Sequence, residues 1–319
     1  MKDEFFTWAQ LPQSEAEFEQ LMLAVDATLT ARGKKPYQRP LLAGRLFWEA
    51  FKWSGNALPA KELADRPGYT GDVLMAKAYR WYEGTYGEQL NMPGSIGHFP
   101  VQLGNAVWRA RVPVIFGRVS FYIDRNLESA DSNIGLKGRP ATVNTLRMVD
   151  KLPQGMAHRL TDAQLFEFFS LYQFAIKALM WRDAAPRSTL LDMALADHEA
   201  STEDVLGGRF GQARWGAQQA VEKTFKGFLE LADQAYPTGG PNGHNLRHLA
   251  GLMKAVFEAD VPQGLLSMAE CSPAVRYGEK PSTQVEALQA NQAVLGVLDV
   301  LSRCRLLNEF LAKRPGAHV

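Results

Sequence analysis

Cysteine is scarce in this chain. Cys271 and Cys304 are the only two in 319 residues, too few for a disulfide framework or a cysteine zinc site. An excess of charge is also missing. The 35 basic and 34 acidic side chains leave a net charge of +1, so whole-chain electrostatics does not call for a polyanion or a membrane surface. Apolar runs are too short and too interrupted to span a bilayer. The opening residues, MKDEFFTWAQ, carry two acids and no apolar signal core. What is present is core material. Hydrophobic residues make up 46% and charged residues 22%, which excludes disorder and leads us to expect a cytoplasmic globular protein with no membrane partner.

The periodicity is helical through most of the chain. Ser14 with Glu17 forms a capping-box pattern, and Phe18, Leu21, Met22, Val25 and Leu29 follow on one face. Similar spacing predicts helices over 40–54, 71–86 and 161–182. Between them, Pro93, Gly94, Gly97, Pro100, Gly104, Pro113 and Gly117 interrupt any long helix. The β-branched and aromatic runs 112–116 and 118–124, with Gly117 between, predict a small hairpin near 112–123. A short helix is expected around 143–152. PGSIGHFP (93–100) reads as an ordinary loop, and the aromatic series Tyr79, Trp81, Tyr82 and Tyr86 reads as core.

From about Arg187 strand signals nearly vanish, and helices are expected over 188–201, 209–234, 244–259, 263–274 and 282–312. The breaks carry Gly207-Gly208, Pro237 with Gly239-Gly240-Pro241, Pro262, and Gly278 with Pro281. Short connections favour antiparallel neighbours. The expected fold is therefore mainly α: an N-terminal α domain (1–186) carrying a small β hairpin, and a C-terminal up-and-down helical bundle (187–319), with Pro186 as the boundary.

Three stretches of the bundle stand out. FGQARWGAQQAVEKTFKGFLELA (210–232) places Glu222-Lys223 and Lys226 on one helix. GHNLRHLAGLM (243–253) follows a Pro/Gly loop, and the pair Arg276-Tyr277 precedes a long Ala-rich helix. In order and spacing these resemble the HEPN (higher eukaryotes and prokaryotes nucleotide-binding) family over about 188–306. The resemblance implies a helical bundle that binds a nucleotide, RNA or a protein partner, as part of a defence or toxin–antitoxin type system. The partner protein would be encoded nearby, and a homodimer is expected. Many members are metal-independent endoribonucleases with an Arg-x4–6-His motif. None of the six histidines here has an arginine five to seven positions upstream, and Arg314 precedes His318 by only four. The resemblance therefore favours binding or regulation over catalysis. A ribonuclease with an irregular site and a structural homo-oligomeric subunit are the alternatives.

Read as physical chemistry, the same residues allow two roles. Gln219, Lys223 and Lys226 recur at four- and three-residue steps, and they form either a solvated stripe or a phosphate-facing one. His244, Arg247 and His248 surround a helix start capped by Asn245, where free N–H groups suit an anion. With Arg276, these cations are the candidate nucleotide or RNA contacts. Over 209–254 bases exceed acids by three, whereas 187–206 carries five acids and one base. The end of the last helix offers Leu306, Leu307, Phe310 and Leu311 as an apolar edge rimmed by charge, the expected interface between copies. No phosphate loop, zinc-protease motif or nucleophile elbow occurs. The acids Asp124 and Asp131 have no metal-ligand spacing, so neither a metal nor a cofactor is expected.

Overall fold

The structure is a computed structural model that describes residues 5–90, 94–115, 118–128, 141–186 and 188–314. It is mainly helical and contains a small antiparallel hairpin. The chain divides into two compact units, Met1–Pro93 and Gly94–Val319.

The first unit is built from α1 (Glu15–Ala31), α2 (Arg39–Phe51) and α3 (Gly71–Tyr86). Ser14 Oγ accepts from the Glu17 N–H, as expected, while the Glu17 carboxylate accepts from the Gln13 N–H at 2.8 Å. The apolar faces meet at Leu21, Met22, Leu46, Phe47, Leu74, Met75 and Tyr82, all fully buried. At one edge of this core Arg39 bonds Asp26 at 3.0 Å and Tyr86 at 2.7 Å, and Tyr86 donates to Asp26 at 2.5 Å. Tyr82 lies within the core and Tyr79, Trp81 and Tyr86 pack against it, so the aromatic series is core material.

The second unit opens with the hairpin. Strands β1 (Gly97–Leu103) and β2 (Ala106–Val112) pair antiparallel across Gly104-Asn105. The hairpin thus precedes the expected segment. Its turn is a two-residue one in which Gly104 takes φ +60°, a left-handed value that glycine adopts without strain. Phe99, Val101 and Leu103 alternate inward. The run expected to form the hairpin's second arm instead supplies β3 (Val119–Tyr122), which pairs parallel with β4 (Ala141–Asn144). Phe116 and Gly117, as well as Asp131, lie outside the described residues. A single turn of 3-10 helix (Thr145–Met148) falls within the short helix expected there, and α4 (Gln154–Arg159) follows it.

Next come α5 (Asp162–Ala184), α6 (Thr189–Leu206) and α7 (Phe210–Leu231), a single turn α8 (Gly240–Gly243), and α9 (Leu246–Phe257). The short α10 (Gln263–Ala269) and α11 (Pro273–Arg276) precede α12 (Gln284–Ser302) and α13 (Arg305–Ala312). Helix α12 is buried around most of its circumference and is the central post of the unit. Leu295 and Leu298 share a core with the hairpin and with Phe168, Tyr172 and Leu179 of α5. Ala290, Val294, Val297 and Leu301 share another with α7 and α9. Two helices therefore approach from opposite sides of one post, which corrects the expected boundary at Pro186. The chain on either side of that proline packs on α12, and the division falls at 93/94.

Helices α6 and α7 lie close because glycine faces the crossing. A Cβ at Gly216 would sit 3.1 Å from the Asp197 carbonyl, and one at Gly227 would sit 2.8 Å from Leu191 Cδ2. The expected single last helix is broken. Cys304 adopts an extended conformation, and α13 turns back toward α9, with the Phe310 ring 5.5 Å from that of Phe257. Leu307 and Leu311 are fully buried in the chain's own core, and Leu306 and Phe310 are half-buried. This corrects their assignment as an exposed interface: folding back removes from water an apolar edge that a straight helix would have left exposed. Among the described residues no helix is long and apolar enough to cross a membrane.

Candidate functional site

The stripe on α7 is partly withdrawn from solvent: Lys226 is buried, and Gln219 and Lys223 are half-buried. Glu222 is 3% exposed and Lys226 only 7%. One Glu222 oxygen takes Lys226 Nζ at 2.8 Å. The other takes His244 Nδ1 at 3.0 Å and Gln219 Nε2 at 3.3 Å. A buried carboxylate needs such partners, and here the single turn α8 delivers the imidazole while α7 delivers the ammonium. The contact of Nδ1 with an acceptor leaves Nε2 as the outward nitrogen of a half-exposed ring. Lys223 is bound to Asp197 at 2.5 Å.

Arg247 is also engaged. It grips both oxygens of Glu270, at 3.0 and 3.3 Å, and bonds Gln263 and Ser267 at 2.8 Å each. Asn245 caps α9 as expected, accepting from the His248 N–H at 3.0 Å, and His248 is exposed. Lys223, Lys226, His244 and Arg247, the expected anion contacts, thus share one feature. Each already faces a carboxylate of its own chain.

Arg276 differs. Its guanidinium lies 4.0 Å from the Trp215 ring centre and 5.3 Å from that of Tyr277. Tyr277 is 69% exposed. Gln212 of α7 holds the Arg276 carbonyl at 3.2 Å, which fixes the start of this stack. Among the described residues Arg276 joins no ion pair within 4 Å.

A second polar cluster escaped the motif reading. His198 on α6 is 1% exposed, and Asn291 on α12 is fully buried. Asn291 Nδ2 donates to Ser201 Oγ at 3.0 Å and Thr202 Oγ1 at 3.2 Å. Both hydroxyl protons are spent elsewhere, on the Ala213 and His198 carbonyls. The amide orientation follows: Asn291 Oδ1 faces His198 Nε2 at 3.0 Å, so Nε2 carries the proton. His198 Nδ1 is buried with no partner among the described residues. Burial, reinforced by the Arg182 guanidinium, pushes the imidazole down to about 4. Burial likewise brings Arg182 down to about 10.

Beside this network stands a more open group. His98 on β1 meets Ser95 Oγ through Nε2 at 3.0 Å and Glu199 Oε1 through Nδ1 at 3.7 Å. The contact with His98 holds the Glu199 carboxyl below its usual range, against the opposing effect of burial. A signal for His198 does exist in the sequence. It falls in register with Leu191, Ala194 and Val205 on the inward face of α6, where a polar residue needs a buried partner. Nothing local points from His98 to Glu199, about 100 residues away.

Among the described residues no group of three His, Cys, Asp or Glu side chains could hold a metal ion. Comparison with protein-family models, with curated proteins and with solved structures gives no match, so the chemistry of the site rests on the geometry above.

Proposed function

We propose that this protein is a HEPN-like binding or regulatory protein acting on RNA or a nucleotide, in a defence or toxin–antitoxin type setting with a partner protein encoded nearby. One observation carries the reading: Arg276 lies against Trp215 and the exposed Tyr277 and, among the described residues, joins no ion pair. A guanidinium on aromatic faces offers a base a stacking surface and a phosphate a charge. The order of the motif-bearing helices supports it too, since α7, α9, α11 and α12 lie in one unit and α7 packs on the other three. A homodimer of such a protein must use a face other than Leu307 and Leu311, which are buried.

The test is fluorescence anisotropy with a labelled single-stranded RNA over a salt series. Binding at low salt should weaken as salt rises. Tyr277→Ala and Arg276→Ala should each weaken it by about 10-fold, in line with roughly 1–3 kcal/mol per stacked base. Lys223→Ala, whose charge Asp197 already takes, should leave it nearly unchanged. Absence of binding at low salt, or equal binding by Arg276→Ala, would overturn the reading.

A further inference from the structure

The geometry points to a second site, chemically distinct from the Arg276 stack: we propose that Ser95 is a nucleophile activated by His98 and positioned through Glu199, and that it accepts the acyl group of an uncharged carboxylic ester. The order of contacts matters. The hydroxyl meets Nε2 and the carboxylate meets Nδ1, so one imidazole bridges a proton source and an anion. The three side chains come from the lead-in to β1, from β1 itself and from α6. The strand holds the group in place. The Ile96 N–H donates to the Val112 carbonyl at 2.8 Å, and the Ile96 carbonyl accepts from Arg182 at 2.7 Å. Ser95 is therefore anchored one residue away on its C-terminal side. On its other side Gly94 is exposed, and Ser95 itself is half-buried.

The charge of the group selects the substrate. Glu199 is 43% exposed in its side chain and repels anions. Arg182, which bonds the residue next to Ser95, has that hydrogen bond committed to the Ile96 carbonyl. A neutral ester carbonyl requires no charge to be neutralised on binding, whereas a phosphate ester does. In the step, Ser95 Oγ forms a bond to the ester carbonyl carbon and its proton passes to His98 Nε2. The bond from that carbon to the alkoxy oxygen breaks, and the departing alcohol takes the proton from His98. Water then repeats the sequence, releasing the carboxylic acid and restoring Ser95. Glu199 touches no reacting atom and acts as a positioning residue.

The experiment treats the full chain with diisopropyl fluorophosphate and follows intact mass and the modified peptide. In that reaction the Ser95 Oγ–P bond forms, the P–F bond breaks, and the proton moves to His98. One adduct, on the peptide holding Ser95, is expected, together with turnover of 4-nitrophenyl acetate. Ser95→Ala should abolish the adduct. His98→Gln should slow labelling by about 100-fold or more, the contribution of a positioned base. Glu199→Gln should slow labelling while Glu199→Asp retains part of the rate, with circular dichroism unchanged in both, a split that a merely structural role would not give. No adduct on the folded protein, or an adduct that persists in Ser95→Ala, would overturn the proposal. RNA binding by the same preparations is read independently, so failure of one reading leaves the other standing.

Discussion

Acidification from pH 7 to pH 5 should remove about 2 kcal/mol from the stability of the second unit through His198 alone. The folded imidazole titrates at about 4 against an ordinary value of 6.5. Because the folded value is depressed, the unfolded chain takes up the proton first as pH falls. The stabilising effect is complete above pH 6.5, declines through the window between 6.5 and 4, and is gone below it. The whole interval between 6.5 and about 4 corresponds to about 3 kcal/mol. The structural reason is specific. Asn291 already occupies Nε2, so an added proton must sit on the unpartnered Nδ1, in a site that Arg182 makes more unfavourable. His198→Gln keeps an N–H for Asn291 Oδ1 and does not titrate. Hydrogen exchange of α6 and α12 peptides in urea, at pH 7 and pH 5, gives the stability of this unit for both proteins. The wild type should lose about 2 kcal/mol more than the variant, whereas carboxylate titrations common to both cancel. Parallel curves would refute the assignment of a bare, buried Nδ1.

Two further outcomes follow from the packing. Lys226→Met leaves the buried Glu222 carboxylate without its ammonium and should destabilise by about 3–5 kcal/mol, whereas Glu222→Gln/Lys226→Met should recover much of that loss in urea unfolding. Leu307→Ala, at a fully buried side chain of α13, should cost about 2–5 kcal/mol and lower the melting temperature, and sedimentation velocity should show no change in oligomeric state.

The sequence by itself determined the helical character. Apolar residues at three- and four-residue steps and the caps at Ser14, Thr161, Asn245 and Thr283 specify local structure, because each cap bonds an N–H within three residues. It also marked α7, α9 and the Arg276-Tyr277 pair as unusual. What it left open depended on distant partners. The hairpin was legible in principle from Gly104-Asn105 and the inward alternation of Phe99, Val101 and Leu103, but the surrounding prolines and glycines favoured a loop reading. No glycine or proline marks the break at Cys304. Burial of Leu307 and Leu311 decides it, a gain that exists only once α9 is in place. The charges of Lys223, Lys226 and Arg247 were visible, but their availability was not. Asp197, Glu222 and Glu270 reach them through helix packing, and a carboxylate within hydrogen-bond distance turns a candidate phosphate contact into an internal ion pair. Tertiary structure alone brought Glu199 to the neighbouring Ser95–His98 pair and placed His198 against Asn291, because contacts spanning about 100 residues arise from the folding of helices onto a common post and have no local periodicity.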